Sequence, residues 1–142
     1  MLNSLDQRLL QVLRRDARIS TAALARQLDV SRSTVQSRIQ RLESLGVIRG
    51  YSVVLGEAHN RQWVRAHVLI AVEQRLTPRL NKQLESIPQI ATLHAISGEF
   101  DLIVEVEAEG TQALNHLLDR ISGLDGVLRT QTSVILETRF RR

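Results

Sequence analysis

The sequence predicts a two-domain α+β protein, with a winged helix-turn-helix followed by a ferredoxin-like βαββαβ sandwich domain. Apolar residues recur with helical spacing up to about residue 50, and strand-like and helical segments alternate beyond it. A turn of only two residues joins the second early helix to a third, basic helix. The later segments follow the order β-α-β-β-α-β. We therefore expect domains at residues 1–50 and 64–142, joined by a linker strand and hinge at 51–63.

Three helices account for the first domain. Asn3 can cap the first helix, which carries a stripe of leucines and ends near Arg14. The second helix begins after Ser20, and Ser31 caps the third, which Gly46 ends. Such a tight joint between two short helices is typical of a helix-turn-helix.

Strand-like residues follow the third helix. Val47 and Ile48 precede Gly50, and further β-branched and aromatic residues occupy 51–55. This pattern predicts a short wing and then a strand that leaves the domain.

The third helix has a thin apolar face and a wide polar one. At about 100° per residue, Val35, Ile39 and Leu42 fall together and form the face that packs on the first two helices. The other sides carry hydroxyl, amide and guanidinium groups, which match base edges and phosphates in a DNA major groove. The predicted DNA-binding residues are Ser31, Arg32, Ser33, Thr34, Gln36, Ser37, Arg38 and Arg41 of this helix, with Arg49 of the wing.

Charge separates DNA contact from the alternative, a merely solvated helix face. A solvated face usually mixes both signs, whereas Glu43 is the only acid among the four arginines of this helix and wing. Residues 1–61 carry ten arginines against five acids, a net of +5, and residues 62–142 carry nine basic against ten acidic groups, a net of −1. Arginine suits bidentate phosphate and base contacts, although a GC-rich genome would produce the same arginine bias. The one-sided charge favours DNA contact.

The second domain has one covered and one open sheet face. In the first strand, apolar residues from Val64 to Val72 alternate with a mixed set, so one face is wholly apolar and lies under the helices. Leu69, Ile96 and Ile103 fall on the open face, and a half-apolar open face predicts self-association. The predicted strands are 64–73, 90–97, 101–107 and 127–137, and the predicted helices are 78–86 and 111–122.

Several functional classes are disfavoured. The chain has no cysteine, no apolar run near 18 residues and no signal-peptide pattern, so we expect a cytoplasmic protein without a membrane segment. It lacks the nucleophile-elbow, P-loop and His-Glu-x-x-His motifs, so we expect neither an enzyme nor a cofactor. His67 and His94 could approach each other on neighbouring strands, but they lack partners at metal-ligand spacing, so we predict no metal site. A ligand-binding or adaptor protein with an unused helix-turn-helix is disfavoured because the contact face keeps its arginines.

The residues also carry a family resemblance along essentially the whole chain. Leu2, Asn3 and Asp6 begin the pattern, and "ARIS", "LARQLDVSRSTVQSRIQRLESLGVIRGY", "SGEFD" and "DGVLRTQTSVIL" continue it. The sequence resembles the Lrp/AsnC (leucine-responsive/asparagine regulator, feast/famine) family of transcription factors. Asn3 replaces an aspartate of the family pattern, and "EAHNRQW" at 57–63 lacks the glycine that the family commonly has there, which affects the expected hinge geometry.

The resemblance implies a regulator whose first domain reads double-stranded DNA and whose second domain forms dimers and higher assemblies such as an octamer. Two-fold pairing implies a palindromic operator. The resemblance further implies a small-molecule effector, most often an amino acid, bound near the turn at 97–101. From the residues alone this turn is better explained by an aspartate that ties its own backbone, and only the resemblance favours an effector site. The effector site implied by the resemblance comprises Gly98, Glu99, Phe100 and Asp101, with Asp101 paired to an α-ammonium.

Overall fold

The computed structural model describes residues 1–56 and 58–142. The chain forms two compact units, Met1–Val54 and Leu55–Arg142. The division between them falls within the linker predicted at 51–63, and Glu57 of that linker lies outside the described residues.

The first unit contains α1 (Ser4–Arg15), α2 (Thr21–Leu28) and α3 (Arg32–Ser44). Asn3 and Ser31 are the predicted N-caps of α1 and α3, and Ser20 caps α2; each side chain accepts a hydrogen bond from the backbone amide three residues later. Val35 and Leu42 of α3 are fully buried against leucines of α1 and α2, and Ile39 packs at the edge of this core. The predicted apolar face of α3 is therefore the packing face.

The segment after α3 differs from the prediction. Gly46 has a positive φ of 70°, as expected at the end of a helix, but residues 47–56 form no strand. Val53 and Val54 are exposed to 83% and 78%. A strand is defined by the ladder it forms with a neighbour, and these β-prone residues pair with no segment in the described part of their own chain.

The second unit is a four-stranded antiparallel sheet in the order β2-β3-β1-β4, with two helices on one face. This order confirms the predicted βαββαβ sandwich. Its elements are β1 (Trp63–Val72), a 3-10 turn (Gln74–Leu76), α4 (Thr77–Glu85), β2 (Ile90–Ala95), β3 (Leu102–Glu109), α5 (Thr111–Ser122) and β4 (Val127–Val134).

The two sheet faces differ as predicted. Val68 of β1 lies opposite Val104 of β3, and both are buried beneath α4 and α5. The next residue, Leu69, lies on the open face between Ile103 of β3 and Gln131 of β4. Leu69 and Ile103 are only partly buried, so they place apolar side chains at the centre of the open face.

Candidate functional site

The N-terminal end of α3 is held by a network of hydroxyl groups. Ser31 Oγ accepts a hydrogen bond from the backbone N of Thr34 at 3.1 Å, and it lies 2.7 Å from Thr34 Oγ1 and 3.0 Å from Ser33 Oγ. Ser37 Oγ donates to the carbonyl oxygen of Thr34 at 3.0 Å. Because these hydroxyls serve the start of the helix, Ser31 and Thr34 fix its geometry besides presenting polar groups to solvent.

The exposed side of α3 carries polar groups that are free to bind. The side chains of Arg32, Gln36 and Gln40 are exposed, and they make no side-chain hydrogen bond or ion pair with any described residue. Gln40 was not among the predicted DNA-binding residues, although its angular position opposite the apolar face could have included it. Two amides and a guanidinium without partners therefore point into solvent from one helix.

Arg38 and Arg41 are placed differently. Arg38 Nη1 lies 3.5 Å from Asp6 Oδ1, and Arg41 Nη1 lies 3.6 Å from Asp6 Oδ2. Asp6 belongs to the first turn of α1 and is 1% exposed. The structure thus directs these two predicted DNA-binding arginines toward a buried carboxylate of their own domain.

The wing segment is attached to α3 through Tyr51. Its hydroxyl donates a hydrogen bond of 2.8 Å to Glu43 Oε1. Partial burial and, after it, the Glu43 carboxylate raise the pKa of Tyr51 above its ordinary value. This contact holds the preceding turn near α3, and Arg49 of that turn is exposed.

The turn at 97–101 is tied to the sheet by Asp101. Its carboxylate accepts hydrogen bonds from the backbone N of Val72 at 2.9 Å and from Gln74 Nε2 at 3.1 Å. Its backbone N donates to the carbonyl of Ile70 at 3.0 Å. Gly98 has a positive φ of 111°, which L side chains rarely adopt. Asp101 therefore joins the start of β3 to the end of β1.

A guanidinium from β4 completes this turn. Arg129 Nη2 lies 2.8 Å from Glu99 Oε1, and the Arg129 Cζ lies 4.6 Å from the centroid of the Phe100 ring. Phe100 is buried, with only 8% of its surface exposed, whereas the Glu99 and Arg129 side chains are 74% and 54% exposed. The sequence-based site omitted Arg129, because only the pairing of β1 with β4 brings it beside a turn 30 residues away.

The described residues contain no group of three His, Cys, Asp or Glu side chains that could hold a metal ion. His67 Nε2 lies 3.9 Å from Glu105 Oε2, and His94 lies opposite Ile103 on the neighbouring strand. Within residues 1–56 and 58–142, no helix is both long enough and apolar enough to cross a membrane.

Comparison with known proteins agrees with this two-part architecture. Residues 2–49 match the family model of a winged helix-turn-helix DNA-binding domain, and residues 65–142 match that of the Lrp/AsnC ligand binding domain. The chain is 28% identical over 136 residues to the HTH-type transcriptional regulator LysM of Saccharolobus solfataricus, which covers 95% of this chain and 94% of that protein.

Solved structures show the same fold. The Escherichia coli AsnC structure superimposes with a TM-score of 0.88 at 24% identity, over 100% of this chain and 97% of that one. A Neisseria meningitidis transcriptional regulator, solved as a complex with L-Met, superimposes with a TM-score of 0.90 at 22% identity, over 99% and 94% of the two chains. With a DNA-binding domain and a ligand-binding domain both matched, the chain belongs to the Lrp/AsnC family of transcriptional regulators, and it is not an enzyme.

Proposed function

We propose that this regulator reads a palindromic operator as a dimer through α3, and that an amino acid bound at the turn 97–101 changes its assembly. The observation that carries the first part is the set of unpartnered polar side chains on the exposed side of α3. The protein is expected to act in the cytoplasm, on double-stranded DNA.

The side chains of α3 divide into base readers and phosphate binders. Gln36 and Gln40 are one helical turn apart and have free amides, which can donate to and accept from an adenine in the major groove. Ser33 can contact either a base or a phosphate. Arg32, at the first turn of α3, and Arg49, in the wing, have the charge and reach to bind phosphates.

A salt series of gel shifts tests this division. Arg32→Ala should weaken binding to all duplexes and reduce the slope of log K against log salt by about 0.9 for the lost phosphate contact. Gln36→Ala should instead reduce discrimination between operator and random DNA, by about 1 to 3 kcal/mol. The control is Arg120→Ala, which removes an exposed arginine of α5 in the other domain and should change neither quantity. If folded Arg32→Ala and Gln36→Ala both bound DNA like the parent protein, α3 would not be the reading helix.

Self-association is assigned to the open sheet face. Leu69 and Ile103 form its apolar centre, and the ion pair of Arg65 with Glu105, 3.8 Å apart, lies beside them. An apolar centre with a charged margin is the usual composition of a protein interface. A dimer formed here would present two copies of α3, and further assembly would give an oligomer such as an octamer.

The effector proposal rests on the exposed ion pair between Glu99 and Arg129. An exposed pair of this kind contributes only about 0 to 1 kcal/mol, so its opening costs little. An amino acid carries one charge of each sign and could insert between the two side chains. Its carboxylate would bind the Arg129 guanidinium, and its ammonium would bind Glu99.

In this proposal the other residues of the turn shape the site. The Asp101 carboxylate is hydrogen-bonded to Val72 and Gln74, so Glu99 takes the ammonium-binding role that the resemblance implied for Asp101. Gly98 allows the backbone conformation of the turn, and the Phe100 ring packs against the Arg129 guanidinium. The L-Met complex of a structure with the same fold supports an amino acid as the class of ligand.

A further inference from the structure

Asp6 is the only charged or polar residue that is fully buried in the part of the chain that the structure describes. Its backbone N donates to Asn3 Oδ1 at 2.8 Å, and its Oδ2 accepts from the Asn3 N at 3.2 Å, which forms a capping box at the start of α1. Its Oδ1 makes no hydrogen bond within the described residues. The helix cap therefore explains the burial of only one carboxylate oxygen of Asp6, because the other oxygen takes no part in the cap.

The charge of this carboxylate is directed at α3. The guanidinium groups of Arg38 and Arg41 lie 3.5 Å and 3.6 Å from its two oxygens. The two arginine side chains are 31% and 50% exposed, so both reach from the buried anion to the surface. Two positive charges facing one negative charge leave this cluster with a net charge of +1.

We infer that Asp6 is a specificity-determining residue, which fixes Arg38 and Arg41 on the flank of α3 and offsets one of their two charges. The inference rests on the proposed reading of DNA by α3. Non-specific DNA affinity comes almost entirely from positive charge facing phosphates. Specificity is the difference between the affinity for the operator and the affinity for random DNA. A buried anion that lowers the affinity for random DNA, and also holds α3 in position to contact bases, increases that difference.

The direct test is Asp6→Asn in the full-length protein. This substitution keeps the shape of the side chain and an oxygen that can accept from the Asn3 N, but it removes the charge. Binding to random duplex DNA should become roughly tenfold tighter near 0.1 M salt, and the salt slope should steepen by about 0.9, because one more guanidinium charge faces the phosphates. The ratio of operator to random affinity should fall.

Asp16→Asn is the matched control. It removes the same charge from the same domain, but the Asp16 carboxylate is exposed and accepts a hydrogen bond from the Arg18 N at 3.0 Å. It makes no ion pair with the arginines of α3 within the described residues. The affinity for random DNA should stay within about twofold of the parent value, and the salt slope within about 0.3 of it, since a distant exposed charge is screened.

The double variant Asp6→Asn/Arg41→Gln restores the net charge of the cluster and provides the test if the single variant does not fold. Its salt slope should equal that of the parent protein, while its ratio of operator to random affinity should fall by at least about fivefold, the lower end of one base contact. A folded Asp6→Asn with parental slope and ratio would overturn the inference. So would a double variant with the parental ratio, or a failure of both variants to fold, since Asp6 would then serve folding alone. A parent protein without any operator preference would instead refute the proposed function.

Discussion

Leu69→Glu is expected to convert the protein to folded monomers. Leu69 lies on the open sheet face beside Ile103, away from the core beneath α4 and α5, so the domain itself should tolerate the change. In a dimer formed through this face the new carboxylate would be buried without a partner, which costs several kcal/mol. Light scattering and sedimentation should show the mass of a single chain.

The same variant should also lose operator binding. A dimer binds its second half-site intramolecularly, which strengthens binding by roughly 10²- to 10⁴-fold over a single domain. Leu128→Glu is the control, because it places the same charge on an apolar residue of β4 that is already 68% exposed. Leu69→Glu with the mass and operator affinity of the parent protein would assign the dimer interface to another surface.

Arg129→Gln and Glu99→Gln are each expected to weaken amino-acid binding by about 10- to 150-fold. Each substitution removes one charge-assisted hydrogen bond to the ligand, and such bonds contribute about 1.5 to 3 kcal/mol. Isothermal calorimetry with a panel of amino acids should identify at least one ligand of the parent protein. Asp101→Ala should also lower the affinity for this ligand, because the turn loses its hydrogen bonds to Val72 and Gln74.

Arg79→Gln serves as the control for the effector experiment. Arg79 pairs with Asp125 at 4.0 Å, and both side chains are exposed, so the variant disrupts a similar ion pair at a different place in the same domain. It should bind the ligand like the parent protein. If Arg129→Gln bound the ligand with the affinity of the parent protein, the binding site would lie elsewhere. If the parent protein bound no amino acid of the panel, the proposed amino-acid effector would be wrong. Because a ligand shifts assembly only by its difference in affinity between two states, its effect on mass should be measured in parallel.

The features predicted correctly from sequence depend on local patterns. Asn3 and Ser31 cap helices because a short side-chain oxygen meets a free amide within its own turn. The packing face of α3 follows from the spacing of Val35 and Leu42 alone. The alternation of apolar and mixed residues along β1 likewise predicts which face of the sheet is covered, because a one-residue shift in register would move the apolar side chains to the open face.

The features that were missed depend on contacts between distant segments. The ion pairs of Arg38 and Arg41 with Asp6 were not predicted, because they depend on the packing of α1 against α3. Arg129 joins Glu99 only through the β1–β4 pairing. Residues 51–55 have the composition of a strand, but composition supplies no partner for the ladder.

The most direct test of two-fold DNA reading by α3 is the effect of half-site spacing on binding. An operator should first be enriched from random duplex DNA with the parent protein, and an imperfect palindrome with half-sites about one helical turn apart is expected. About five added base pairs between the half-sites place one of them on the opposite side of the duplex, whereas about ten restore the original side. Dimer affinity should fall by at least about 100-fold with five added pairs and recover in large part with ten, because only the second spacing lets both copies of α3 bind. Equal affinity at all three spacings, or the enrichment of no sequence at all, would contradict the reading of DNA by a two-fold pair of α3 helices.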